Sequence, residues 1–205
     1  MLIHIVTRLS TAAWTTTKDF KTYKLTSITS WPGWSGETHH VPTDLGYKDD
    51  EVFWGYSIPE NIPRAAILKV FHTYGEGSIA KAHGGRSARQ LIHDYVLAIY
   101  CHIRRTIRKN TMARLANWKF QVVIVVPSTL QSRAKEVESI VQQAFLSDKS
   151  LPEVRTVLRS KAAALGQLCM LAQPSLGEYV ICASHKNSTV CIIYVFVFCS
   201  FLLFN

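Results

Sequence analysis

The sequence predicts an α/β fold from three consecutive patterns in the central part of the chain. Apolar residues recur every four positions between residues 87 and 109, which predicts an amphipathic helix, and these residues are Leu91, Tyr95, Ile99, Ile103 and Ile107. The next pattern is FQVVIVV at Phe120–Val126, a β-branched run that is typical of a strand buried on both faces. A second helical stripe follows Pro127 and contains Leu130, Ala134, Val137, Val141 and Ala144. Helix, buried strand and helix in this order indicate a sheet that is covered by helices.

Residues 26–63 predict turns and short strands ahead of the first helix. The segment is rich in Trp, Pro, Gly and Ser, and Pro32-Gly33 and Ser35-Gly36 are typical turn pairs. Val52–Tyr56 combines β-branched and aromatic residues, which predicts a strand near a hairpin.

The boundaries and the remaining elements follow from capping residues and apolar runs. Ser87 and Ser128 are each predicted to cap the helix that begins after them, because a serine oxygen can accept a hydrogen bond from a free backbone N–H. Glu153–Leu165 is predicted to form a further helix, and Leu168–Ala172 is predicted to form a short strand before Pro174.

The length of 205 residues is that of one folded domain of ordinary size, or of one lobe of something larger. The hydrophobic content of 48% against 18% charged residues excludes wholesale disorder. The five cysteines are odd in number and contain no Cys-x-x-Cys pair, which argues against a disulfide framework or a structural zinc site. The eight histidines show no ligand spacing either, so we predict no metal site. We expect a reducing compartment, the cytoplasm.

The C-terminal run Thr189–Phe204 has sixteen residues without a charge. A membrane-spanning helix needs about 20 apolar residues, so the run is short for this role. Three interpretations stay open: a membrane anchor, an apolar β-rich end, or an extension foreign to the fold. We expect a separate tail over residues 185–205 after a folded part over residues 1–184, with membrane association through the tail as the alternative localisation.

Basic residues concentrate in the middle of the chain, where residues 52–135 hold 13 Lys or Arg against three acidic residues. Arg104, Arg105, Arg108 and Lys109 lie at one end of the first predicted helix. A solvated helix end is the favoured interpretation, because the helix dipole stabilises cations there. A nucleic-acid-binding module is the alternative, although no recognised motif accompanies the run and we do not expect this partner.

Several motifs occur in one order along the chain: Trp31-Pro32-Gly33, Val41-Pro42-Thr43 with Tyr47, Trp54-Gly55-Tyr56, Lys69, and Trp118–Pro127 running into Ala134-Lys135. This order resembles the divergent fungal-type members of the 70-kDa heat-shock chaperone family, in the actin-like ATPase superfamily. The resemblance implies a ribonuclease-H-like partial lobe with a mixed sheet and flanking helices. It also implies ATP and Mg²⁺ as ligands, with slow hydrolysis coupled to conformational change.

The first phosphate loop of that family is altered here. The resemblance places His4 where the family has Asp, and Val6 where it has Gly. It leaves Thr7, Arg8 and Ser10 as candidate nucleotide contacts. His4 does not supply the carboxylate that a hard cation such as Mg²⁺ prefers. Val6 carries a branched side chain where the backbone has to approach a phosphate.

Two further positions carry over from the family. Lys69 lies where the family has a lysine near the γ-phosphate, and Gln173 replaces a catalytic carboxylate. A neutral amide cannot accept a proton as a general base, so we predict no catalytic residue. The second phosphate loop and the second lobe have no counterpart. We therefore expect a degenerate, truncated nucleotide-binding lobe without ATP turnover, which associates with itself or with a chaperone; the alternative is a small tail-anchored membrane protein.

Overall fold

A computed structural model describes residues 1–5, 9–15, 26–66, 86–111, 119–146, 152–164 and 190–191 of the chain. The strands are β1 (Leu2–Ile5), β2 (Leu9–Trp14), β3 (Thr26–Ser27), β4 (Val41–Pro42), β5 (Asp44–Lys48), β6 (Glu51–Trp54), β7 (Ala65–Ala66), β8 (Lys119–Val126), β9 (Glu153–Leu158) and β10 (Val190–Cys191). The α-helices are α1 (Ala88–Thr111) and α2 (Ala134–Phe145). Short 3₁₀ helices cover Gly55–Ser57 and Ser128–Arg133, and residues 159–164 are helical.

The main sheet is mixed, with an antiparallel N-terminal part joined to parallel strands. β1 pairs antiparallel with β2 and parallel with β8, while β2 continues to β3 and also pairs with β4. β8 also pairs parallel with β9 and with the two residues of β10. The connection from β8 through α2 to the parallel strand β9 is a β-α-β unit, which confirms the predicted α/β class.

β8 lies in the centre of the core, as its apolar run predicted. Val122 and Ile124 are fully buried, and Val125 on the other face is 1% exposed. In the pairing register, Ile124 lies opposite Ile3 of β1 and Thr156 of β9. The prediction of a strand buried on both faces is therefore confirmed.

α1 begins where its capping residue predicted. The Ser87 hydroxyl accepts a hydrogen bond from the backbone N–H of Gln90 at 3.2 Å, which satisfies one free donor of the first turn. The predicted apolar stripe of α1 is buried throughout. The helix packs against α2, where the Tyr100 and Phe145 ring centroids lie 4.2 Å apart.

A smaller antiparallel sheet, β6-β5-β7, lies against the N-terminal half of α1. Asp49 and Asp50 form the β5–β6 turn with positive φ angles, the geometry that matches strand twist in a two-residue hairpin. The strand predicted at Val52–Tyr56 ends at Trp54. Gly55 has φ +58° and starts the 3₁₀ turn, because glycine adopts this backbone conformation without a side-chain clash.

Two sequence predictions are wrong. Glu153–Leu165 does not form one helix, because Glu153–Leu158 is strand β9 and helical residues follow only from 159. β-branched Val154, Thr156 and Val157 suit a strand, and β8 supplies a full row of hydrogen-bonding partners. Ser128 is not the cap of the following helix, since Pro127 occupies the N-cap position and Ser128 is already inside the 3₁₀ turn.

Other predictions fall outside the described residues. These are the strand at Leu168–Ala172 and, apart from β10, the tail at Thr189–Phe204. Among the residues that the structure covers, no helix has the length and apolar character needed to cross a membrane.

Candidate functional site

The predicted phosphate-loop position lies where the chain passes from β1 to β2. His4 belongs to β1, and its backbone lies opposite Thr11 of β2 and Val125 of β8. Ser10 is the second residue of β2. The other predicted site residues, Val6, Thr7, Arg8, Lys69 and Gln173, lie outside the part of the chain that the structure describes.

Ser10 takes part in a buried cluster of hydroxyl groups. Its side chain is fully buried, and its Oγ lies 3.0 Å from the Oγ1 of Thr43, which is also fully buried. Tyr95 of α1 brings a third hydroxyl to the two others, with the Pro42 carbonyl oxygen 3.5 Å from its Oη. Each polar atom thus has a partner, as burial requires. The cluster joins the start of β2 to the junction between β4 and β5 and to α1.

The electrostatics of this cluster favour neutral groups. Burial raises the pKa of Tyr95 well above its ordinary value, against the smaller opposing effect of the Ser10 and Thr43 hydroxyls. Burial also raises the pKa of the neighbouring Asp44, while the positive charge of Arg64 opposes this rise. Because Tyr95 stays protonated, the hydroxyl cluster provides neither a general base nor an activated nucleophile.

A second polar cluster joins the β5–β6 hairpin to the start of α1. The Tyr47 hydroxyl donates to Asp94 Oδ2 at 2.8 Å, and Asp94 Oδ1 lies 2.7 Å from Gln90 Nε2 and 3.0 Å from His93 Nδ1. The Arg86 guanidinium covers the Tyr47 ring at 3.9 Å. Burial, followed by the hydrogen bond and charge of Asp94, raises the pKa of Tyr47 far above its ordinary value. Tyr47 therefore holds the hairpin on the helix as a neutral donor.

An aromatic cluster fixes the loop at residues 28–40 on the middle of α1. The imidazole of His102 packs against both Trp31 and Trp54, with ring centroids at 5.5 and 5.7 Å, and the two tryptophan centroids are 6.2 Å apart. His102 Nε2 is 2.8 Å from the Ser30 carbonyl oxygen, so this nitrogen carries the proton. Burial lowers the pKa of His102, the Ser30 carbonyl opposes the change, and Arg105 adds to the lowering.

Trp34, in the same loop, is the most exposed tryptophan among the described residues. The residue is 49% exposed, and its ring stacks on Tyr56 with centroids 4.7 Å apart and planes inclined by 30°. Gly33 supports this arrangement with φ +78°, and a Cβ at Gly33 would lie 2.6 Å from the Tyr56 carbonyl carbon. The loop backbone therefore touches Tyr56, which holds Trp34 in place.

The hydroxyl cluster and the Trp34 stack were not predicted from the sequence. A signal for the first was available, because Tyr95 interrupts an aliphatic stripe and a buried tyrosine hydroxyl needs a hydrogen-bond partner. For Trp34 there was no such signal, since its exposure depends on how the loop lies on α1.

The described residues contain no group of three or more His, Cys, Asp or Glu side chains with the arrangement of a metal site. Comparison with known proteins adds no assignment: no family model matches the chain, and a search of curated proteins finds no significant match.

Proposed function

We propose that the chain is a degenerate first lobe of an actin-like ATPase, of the type found in divergent fungal 70-kDa heat-shock chaperones, that does not turn over ATP. The observation that carries the proposal is the mixed sheet in which β1 lies between β2 and the parallel strand β8. Because β1 and β8 are parallel, their carboxyl ends lie at the same edge of this sheet. In open α/β sheets, ligands bind at the carboxyl ends of the strands.

The side chains at this edge do not suit Mg²⁺ and ATP. His4 stands at the metal-facing position of the resemblance, and an imidazole is a poor substitute for a carboxylate with a hard cation. The Ser10 hydroxyl is fully buried and bonded to Thr43, so it is not offered to a phosphate. Phosphoryl transfer depends on positioned charges and metal ions, so this donor set supports no turnover.

The buried hydroxyl cluster suits a structural role for this edge. Ser10, Thr43 and Tyr95 connect the start of β2 to α1 through neutral groups. Such a connection keeps the lobe folded without nucleotide. The proposed lobe therefore acts by binding or association and not by catalysis.

ATP hydrolysis by the purified full chain tests this proposal. We expect the rate of phosphate release to equal that of the Lys69→Ala variant, because the chain lacks the catalytic groups. Lys161→Ala, which changes an exposed lysine in the helical segment after β9, is the matched control. Hydrolysis that exceeds the buffer rate and disappears in Lys69→Ala but not in Lys161→Ala would refute it. Weak nucleotide binding without release of phosphate agrees with it.

A further inference from the structure

The C-terminal half of α1 presents a row of exposed cations. Arg105, Arg108 and Lys109 are exposed, and no acidic residue occurs from Tyr95 to Thr111. None of the ion pairs formed within the described ranges involves these three side chains. Their positive charge is therefore available to a partner.

Arg104 extends this row but is fixed differently. Its guanidinium carbon lies 5.2 Å from the centroid of the Phe120 ring and 5.7 Å from that of Tyr100. Cation–π contacts of this kind hold an arginine head in place. From Arg104 to Lys109 the helix rises by about 7.5 Å, so the four cations occupy less than two turns.

The exposed Trp34 stack belongs to the loop that docks on the preceding turn of the same helix. His102 contacts this loop through the Ser30 carbonyl and the Trp31 ring. Trp31 in turn accepts a backbone hydrogen bond from Trp34 at 3.2 Å. Arg105 follows His102 by three residues, close enough for its charge to lower the pKa of His102. The loop that carries the aromatic platform is therefore fixed on α1 at His102, within one turn of the first cations of the row.

We propose that Trp34, Tyr56, Arg105, Arg108 and Lys109 form a binding surface for single-stranded nucleic acid. A base stacks on the free face of Trp34, and the phosphates contact the cations of α1. Proteins that bind single strands combine a cationic track with aromatic rings in this way. Arginine is well suited to the phosphates, because its planar guanidinium donates two parallel hydrogen bonds. A base-paired duplex buries the base faces, and a lipid headgroup or an acidic peptide offers no such stack.

The structure also favours a pre-formed platform. Tyr56 supports one face of the Trp34 ring, and the Gly33 backbone is in direct contact with Tyr56. Little ordering is therefore needed when a base stacks on Trp34, which reduces the entropic cost of binding.

Glu37 lies exposed in the same loop and opposes the approach of a phosphate. This proposal is independent of the proposed nucleotide-binding lobe.

Fluorescence anisotropy with a labelled oligothymidylate of about 15 nucleotides tests the proposal, since single-strand sites cover roughly 4–16 nucleotides per domain. For three phosphate contacts, the logarithm of the binding constant is expected to fall with the logarithm of salt with a slope of about −2. Arg108→Ala is expected to weaken binding and to reduce this slope by about 0.7. Lys48→Ala, at the hairpin beside the other end of α1, is the matched control and is expected to bind like the parent.

The aromatic contribution is tested separately from the charges. Trp34→Ala is expected to lower affinity roughly tenfold without changing the salt slope, because base stacking involves no counterion release. Trp34→Tyr keeps a ring and is expected to retain most of the affinity, while Glu37→Gln is expected to increase it. Thermal unfolding of each variant checks that the loop still folds.

Four outcomes would overturn the proposal. They are an undetectable affinity at about 50 mM salt, binding of a duplex as tight as that of the single strand, binding unchanged by Trp34→Ala, and preferential binding to heparin or to vesicles of anionic phospholipid. Preferential binding to heparin would assign the surface to polyanions in general, and preferential binding to the vesicles would assign it to membranes.

Discussion

Ile124→Ala is expected to destabilise the protein strongly, because it removes side-chain volume from the centre of the main sheet. Ile124 is fully buried and lies on β8 between Ile3 of β1 and Thr156 of β9. Three carbon atoms are lost, each worth about 0.8 kcal/mol of transfer free energy, or about 2.4 kcal/mol together. The cavity that remains adds to this loss, so the free energy of unfolding should fall by about 3–4 kcal/mol.

Chemical denaturation measures this loss as a lower midpoint at an unchanged slope. In a protein of this size, each kcal/mol corresponds to about 2–4 °C, so the melting temperature should also fall by about 6–16 °C. Val123→Ala is the matched control, because Val123 is only partly buried and lies on the opposite face of β8. Two carbon atoms are lost there, and we expect a cost of about 1 kcal/mol. If Ile124→Ala has the same denaturation midpoint as the parent, or if Val123→Ala lowers the free energy of unfolding more than Ile124→Ala does, β8 does not lie in the centre of the core.

Two further predictions concern the loop that carries Trp34. Gly33→Ala should cost more than about 1 kcal/mol of unfolding free energy, because its φ of +78° disfavours a side chain and the new Cβ would overlap the Tyr56 backbone. Gly36→Ala is the milder comparison in the same denaturation assay, because the nearest atoms to its Cβ belong to the Trp34 side chain. Equal costs for the two variants would contradict the loop geometry. Burial lowers the pKa of His102 in the folded state. Below about pH 6.5 the unfolded state therefore binds more protons than the folded state does. The free energy of unfolding then falls as the pH drops toward the lowered pKa. The denaturation midpoint should therefore fall more between about pH 7.5 and 5.5 in the parent than in His102→Gln, and an equal fall in both would exclude His102 as the cause.

The sequence predicted the elements whose signal is local. The apolar stripe of α1 and the run Phe120–Val126 each carry a periodicity that one element alone explains, and Ser87 marks the start of the helix by its own hydrogen bond. The α/β class follows from their order. For the candidate sites, the sequence located the basic end of α1, because residue type alone carries its charge. The β1–β2 connection was a candidate only through the family resemblance and stays a prediction.

The tertiary structure decided what depends on partners distant in the sequence. Glu153–Leu158 forms a strand because its β-branched residues suit one and β8 offers it a parallel row of donors and acceptors, a partner that the local sequence does not show. Ser10 turned from a candidate phosphate contact into a buried partner of Thr43, 33 residues away. The exposure of Trp34 likewise depends on how its loop lies on α1, where His102 contacts the Ser30 carbonyl. A periodic pattern specifies one element, whereas burial and neighbours arise only when elements pack together.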